Sequence, residues 1–388
     1  MGREFPCFRV NQNSNQYLPK SPMISPEMDA GIWSKLPEEV LERILSMLPL
    51  KTFMVLRSTC KHFKSLLFSP TFISKHSSSS SNSSPFSSFL MLSHSQCYPF
   101  FPLYDSPLGA WRSFALSLSD LLPCASGPVS LLSISKGLLC FSLPSSSSFV
   151  VCNFLTKSSR VINFPTCPFG FELLTLVSTP LGYNIFMLSS GSSTKTRTFL
   201  YDSKVQSWKS FSALDTVLSD NYHQQGVLFN GYLYFTTPEP FSLVNFDLET
   251  GMWERHNTEL PGELVFVRLV SDEGNGRMYL IGGIGRNGIS RSMKIWELCE
   301  GKNWVEFDRV PEMMCRKIMS VCYHNYEHLY CFWHQGLICV CCYAWPEILY
   351  YKVSRRTWHW LPKSPSVPER SACGFRWFSF VPELYASV

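Results

Sequence analysis

The sequence predicts an α+β chain of two parts, a small all-α module near the front and an all-β propeller behind it. Three observations carry this reading. Residues Ile32 to His76 show apolar side chains at helical spacing. Residues Ser77 to Ser84 are serine broken only by Asn82, a composition that buries no apolar surface and so reads as a linker. Beyond residue 85, a strand, turn and tryptophan pattern recurs with a period that suits propeller blades. The chain therefore divides into residues 1–28, expected to be disordered, a helical module at 29–76, a linker at 77–85 and a propeller at 86–388.

The helical module has its own start and stop signals. Pro37 suits a first helical turn, where its missing N–H costs nothing, and Glu38 and Glu39 follow where negative charge favours a helix N-terminus. Val40, Leu41, Ile44, Leu45 and Leu48 then form one apolar stripe that Pro49 ends. A second amphipathic run from Leu50 carries Phe53, Leu56, Cys60, Phe63, Leu66 and Leu67, with a break expected near Arg57 to Thr59. Ser69 before Pro70 reads as a cap and first residue of one last short turn. Three short helices of this size bury too little surface to stand alone, so an apolar face is expected to remain open for a partner.

In the second part, apolar strands end near Asp or Asn, turn, and lead to Trp. Tyr201-Asp202 leads to Trp208, Phe246-Asp247 to Trp253, Trp296-Glu297 to Trp304 and Tyr351-Lys352 to Trp358. Two weaker copies precede them, Tyr104-Asp105 before Trp111 and Cys152-Asn153 before Arg160, which stands at the Trp position. Six copies over the 303 residues from 86 to 388 give blades of about 50 residues each, the kelch-type spacing. Only Gly282-Gly283 shows the paired glycines of such blades, so five or seven blades remain open as alternatives. A ring must also close. The strand-like run Phe375 to Phe380 is expected to join the first blade, whose own strands are too few.

Composition excludes several functions. Charged residues make up 16% of the chain, and the net charge of +5 forms no stripe beyond the helical module, which argues against nucleic acid. No apolar run is long enough to span a membrane, since Gly336 to Tyr351 contains Pro346 and Glu347. Fifteen cysteines, odd in number and set within apolar runs, read as free buried thiols in a reducing compartment, the cytoplasm or the nucleus. Cys322, His324, His328, Cys331, His334, Cys339, Cys341 and Cys342 form the densest group of possible metal ligands. Leu337 to Tyr343 reads as one strand, however, which points Cys339 and Cys342 to opposite faces, so no metal and no cofactor is expected. Gly282 to Gly288 follows a strand without leading to a helix and reads as a turn, and no nucleophile elbow occurs.

The order Leu36-Pro37, Val40-Leu41, Ile44-Leu45, Leu48-Pro49, Leu56, Cys60 and Phe63 resembles an F-box, and with the repeats behind it the chain resembles plant F-box/kelch-repeat proteins. The resemblance implies a non-catalytic substrate receptor of an SCF (Skp-cullin-F-box) ubiquitin ligase. Those eleven residues would meet a Skp-family adaptor, and through it a cullin, while propeller loops hold an unidentified target protein for ubiquitination and degradation. The alternative keeps the adaptor but makes the chain a non-degradative scaffold or transcriptional cofactor. Seven Lys or Arg against three Glu leave +4 of the chain's +5 in residues 32–76, an excess suited to the acidic adaptors of that family. Residues 190–197, 238–241, 286–291 and 333–336 are the candidate target loops.

Overall fold

In a computed structural model, the structure describes residues 31, 35–48, 50–56, 59–66, 69–79, 88–97, 100–115, 129–143, 147–165, 171–189, 197–212, 218, 223–299, 303–364 and 373–388. The expectations placed on residues 1–28, on Pro49, on 80–85 of the serine run and on 190–196 lie outside these.

The helical module holds four helices among the described residues, one more than its sequence pattern predicts: α1 (Glu38–Ser46), α2 (Leu50–Leu56), α3 (Lys61–Leu66) and α4 (Pro70–Ser79). Pro37 stands just before α1 rather than in its first turn, and its carbonyl accepts from the N–H of Val40 and of Leu41 at 3.0 and 3.1 Å. The break before α3 arises because Cys60 caps that helix. Its thiol sulfur accepts from the Phe63 N–H at 3.4 Å and its carbonyl from Lys64 at 3.2 Å. Ser69 caps α4 as its type predicts, its hydroxyl accepting from Phe72 N–H at 3.4 Å. That helix is no short turn, because Phe72 and His76 lie one turn apart on its buried face and carry it three residues into the serine run.

Six four-stranded antiparallel sheets come after the module, arranged as a closed ring. Their inner strands are Arg376–Phe380 for blade 1, Ser130–Ser135 for blade 2, Phe171–Thr179 for blade 3, Val227–Phe229 for blade 4, Leu264–Asp272 for blade 5 and Leu329–His334 for blade 6. Neighbouring inner strands run parallel, as shown where Leu176 and Ser178 N–H groups donate to the hydroxyls of Ser133 and Ser135, both at 3.0 Å. Blade 1 is built from both parts of the chain. Arg376–Phe380 pairs antiparallel with Phe89–Ser93 over five residues, from Phe89↔Phe380 to Ser93↔Arg376, so the ring is closed by the predicted strand.

The six repeat positions fall on the six outer strands. Trp111, Arg160, Trp208, Trp253, Trp304 and Trp358 lie on Ala110–Ala115, Ser158–Asn163, Ser207–Phe211, Trp253–His256, Asn303–Arg309 and Thr357–Trp360. Three indoles reach back to the preceding blade: Trp208 Nε1 donates to Asn163 O at 2.9 Å, Trp253 Nε1 to Thr198 Oγ1 at 3.1 Å, and Trp111 Nε1 to Pro362 O at 3.0 Å, across the closure. Arg160 points the other way, to Ser203 O of blade 3 at 3.1 Å. The repeat is thus an interblade contact. The Asp or Asn ahead of it caps the turn: Asp105, Asn153, Asp202 and Asp247 each accept a backbone N–H from two or three residues on.

The paired glycines have a packing reason. A Cβ on Gly282 would stand 2.5 Å from Leu264 Cδ2, and one on Gly283 2.3 Å from Phe266 Cε1, so inner-strand side chains of blade 5 occupy that space. The glycine-rich run ends in a hairpin whose turn residues Asn287 and Gly288 have φ of 53° and 71°.

Candidate functional site: the helical docking module and the propeller rims

Hairpin geometry assigns each turn to a rim. The turns between first and second strands and between third and fourth strands lie on one rim, here the lower. Those between second and third strands lie on the upper rim with the blade-to-blade connections. Residues 238–241 and 286–291 are upper-rim turns, of blades 4 and 5. Residues 333–336 join the first two strands of blade 6 and so lie on the lower rim, apart from the other candidate loops.

The helical module sits at the lower rim. Leu45, Phe53, Leu66 and Phe72 are its core, each at most 4% exposed, and Leu384 from beyond the closing strand completes it at 1%. Leu155, from the third-to-fourth turn of blade 2, and Tyr385 pack on the same cluster. His76 is fully buried among Phe53, Phe72 and Tyr385. Its Nε2–H donates to Leu48 O at 2.9 Å, which leaves Nδ1 to accept from the Tyr385 hydroxyl, so one neutral tautomer satisfies both bonds. Burial holds its pKa below the ordinary value, in keeping with that neutral ring.

Of the predicted docking residues, Leu45 faces inward to this core. Leu41, Leu48, Leu56 and Phe63 line the core with one side and are half-buried, as are Leu36 and Ile44. Pro37, Val40 and Cys60 are exposed, Val40 at 43%. Met47 and Val55, absent from the sequence-based set, are exposed at 63% and 65%. The module therefore carries an apolar outer face that the propeller does not cover.

The axial channel holds a cavity of about 730 Å³. Gln224 and Gln225, just ahead of the blade 4 inner strand, brace it from side to side. Gln224 donates to Leu269 O of blade 5 and to Cys331 O of blade 6, both at 3.2 Å, and accepts from Cys331 N–H at 2.9 Å. Gln225 reaches blade 2, donating to Leu132 O at 2.8 Å. At the lower rim Lys136 of blade 2 stands 3.8 Å from Glu273 of blade 5. Polar groups in the channel are thereby largely spent on holding blades together.

The cysteine and histidine run of blade 6 separates as strand alternation requires. Cys339 and Cys341 pack towards blade 1 beside Leu90 and Trp377, while Val340 and Cys342 pack towards blade 5 beside Tyr279. All twelve cysteines among the described residues are free thiols, and no group of three possible metal ligands occurs among those residues. Burial raises the thiols of Cys331 and Cys342 to about 12, which keeps them protonated and unreactive. His334 instead bridges blade 6 to blade 1, with Nε2 and Nδ1 each 2.8 Å from the hydroxyls of Ser106 and Ser379.

A small helical module packed beneath a six-bladed wheel is the architecture of this chain. The F-box domain family matches residues 33–75, and the F-box associated beta propeller domain family matches residues 119–344. The chain is 53% identical over 370 residues to an F-box/kelch-repeat protein of Arabidopsis thaliana, covering 93% of this chain and 90% of that one. It is also 25% identical over 331 residues to F-box only protein 6 of Arabidopsis thaliana, covering 81% and 66%. Its likeness to the protein UNUSUAL FLORAL ORGANS of the same plant is 24% over 379 residues, covering 87% and 80%. The chain belongs to the F-box proteins with an associated beta propeller. That architecture is typical of SCF substrate receptors, which are non-catalytic subunits, and its F-box implies interaction with a Skp adaptor and a cullin.

Proposed function

We propose that this chain docks a Skp-family adaptor through Leu36, Pro37, Val40, Leu41, Ile44, Leu48, Pro49, Leu56, Cys60 and Phe63, with Leu45 supporting them from within. It holds a target protein on the upper rim of its propeller for ubiquitination and degradation, in the cytoplasm or the nucleus. The observation that carries the docking assignment is the set of apolar side chains Val40, Met47 and Val55 on α1, its C-terminal end and α2, which stay exposed although the module already packs on the propeller. The adaptor would bury those side chains, and the hydrophobic gain would hold the pair together. The upper rim is favoured for the target because the helical module occupies the lower one, and because 238–241 and 286–291 both lie there. Loops on a rigid wheel can vary without disturbing its blades.

A receptor of this kind acts by raising the local concentration of target lysines beside the conjugating enzyme. Proximity labelling in cells, with and without proteasome inhibition, tests the degradative part. Partners that accumulate on inhibition and lose that response when residues 286–291 are replaced by Gly-Ser are expected. Partners of unchanged abundance would support scaffolding instead.

A further inference from the structure

The geometry points to residues 381–388 as a strap that fixes the orientation of the adaptor-docking module relative to the propeller, with Leu384 and Tyr385 as its positioning residues. The closing strand ends at Phe380, so the ring needs nothing beyond it to pair blade 1. Past Phe380 the chain alternates between the two bodies. The Asn153 side-chain amide donates to Glu383 O and to Ala386 O, both at 2.9 Å, and so clamps the strap at two points to the lower rim of blade 2. Between those points Leu384 enters the core of the helical module and the Tyr385 hydroxyl meets His76. Ala386 and Val388 then return to the propeller, packing on the cluster between blades 2 and 3.

The fit at the lower rim is close. A Cβ on Gly137, at the first-to-second turn of blade 2, would stand 2.5 Å from Glu383 N, so that turn admits the strap only because Gly137 has no side chain. Asn153 also accepts from Leu155 N–H at 2.9 Å, and Leu155 is the blade residue that touches the module. One buried amide thus sets both propeller contacts with the helices.

The consequence for function rests on the docking proposal above. A target on the upper rim and an adaptor on the module stay at a fixed separation only if these two bodies move as one, and a fixed separation limits which target lysines reach the transferred ubiquitin. The strap supplies that rigidity through a buried apolar anchor and a paired histidine, not through the serine run alone.

The test uses the full chain without adaptor, comparing wild type with Leu384→Asp and with the milder pair Tyr385→Phe and Asn153→Ala. Hydrogen exchange and small-angle scattering are read together. In the Leu384→Asp protein, amides of residues 71–79 are expected to exchange at least tenfold faster and the scattering to change from one compact body to two mobile ones. Amides of residues 376–380 should keep wild-type protection, which shows the ring intact. The milder variants should show the same loosening in lesser degree, so a Leu384→Asp chain that unfolds its helices leaves the question decidable. Wild-type exchange and compact scattering in all three variants would overturn the strap. Adaptor capture by the wild-type chain is measured in parallel; its absence would reject the docking proposal while leaving the exchange result to decide the strap.

Discussion

Acid should open the propeller at its closure, through His334. This ring is fully buried between the hydroxyls of Ser106 and Ser379, which lie on the N-terminal and C-terminal chain segments that together build blade 1. Burial lowers its pKa from 6.5 to about 4. An imidazole held neutral in the folded state takes up a proton on unfolding whenever the pH is below its ordinary value, so its contribution to stability is complete above 6.5 and is lost as pH falls towards 4. At pH 5 the unfolded ring is almost wholly protonated and the folded one barely so, which removes ~2 kcal/mol. Other groups titrate too, among them His223, also lowered to about 4, chiefly by burial and then by Arg376, His328 and Arg268. A His334→Gln variant isolates the term, since all other groups are shared. Urea unfolding, followed by tryptophan fluorescence at pH 7.5 and pH 5, should show the wild type losing ~2 kcal/mol more than the variant on acidification. Parallel losses in the two proteins would refute the assignment of the closure to a neutral histidine bridge.

Packing sets three more outcomes. Trp253→Phe keeps an aromatic ring against Phe186, Phe235 and Phe246 but removes the second ring of the indole and its bond to Thr198, and should lower stability by about 1–3 kcal/mol in the same assay. Trp377→Ala empties a site 2% exposed on the closing strand and leaves Pro346 O without its indole donor, a loss of about 3–5 kcal/mol read as a large fall in the unfolding midpoint. Mapped by peptide mass spectrometry, a thiol reagent should label Cys60, Cys299 and Cys373 in the native chain, while Cys140, Cys339 and Cys341 react only after unfolding.

The wheel was legible because its repeat is physical. In five of the six blades a tryptophan on the outer strand packs between its own blade and the preceding one, and in four an Asp or Asn caps the turn before it, so both recur at blade spacing. The closing strand could be read from its aromatic content, Phe375 and Trp377 packing towards blade 6 and Phe378 and Phe380 towards blade 2. The apolar stripe of the helical module was legible as a period, but its division into buried and exposed residues was not. Val40 and Leu45 belong to one wide apolar stripe but stand about 140° apart around the helix, and the packing of Phe53, Phe72 and Leu384 settles that the Leu45 edge faces inward while Val40 stays exposed. Leu384, Tyr385 and Asn153 were illegible as a group, because their contacts join positions more than 200 residues apart and no local pattern marks an apolar pair that leaves one core to enter another. His334 stands in sequence among the densest group of possible metal ligands, for which no metal is expected. Its contacts to Ser106 and Ser379, 228 and 45 residues away, make it a bridge, and no local pattern marks them.

The most direct measurement of the central claim is calorimetry of the full chain with a purified plant Skp adaptor, repeated over temperature, for wild type and for Ile44→Asp. Ile44 is half-buried on the outer stripe, and placing a carboxylate there in an apolar contact should weaken binding by several kcal/mol, roughly a hundredfold or more in Kd. Wild-type association should show the negative heat-capacity change that marks apolar burial. Equal affinities for the two chains, or wild-type binding with no heat-capacity change, would contradict docking through the apolar side chains of α1 and α2.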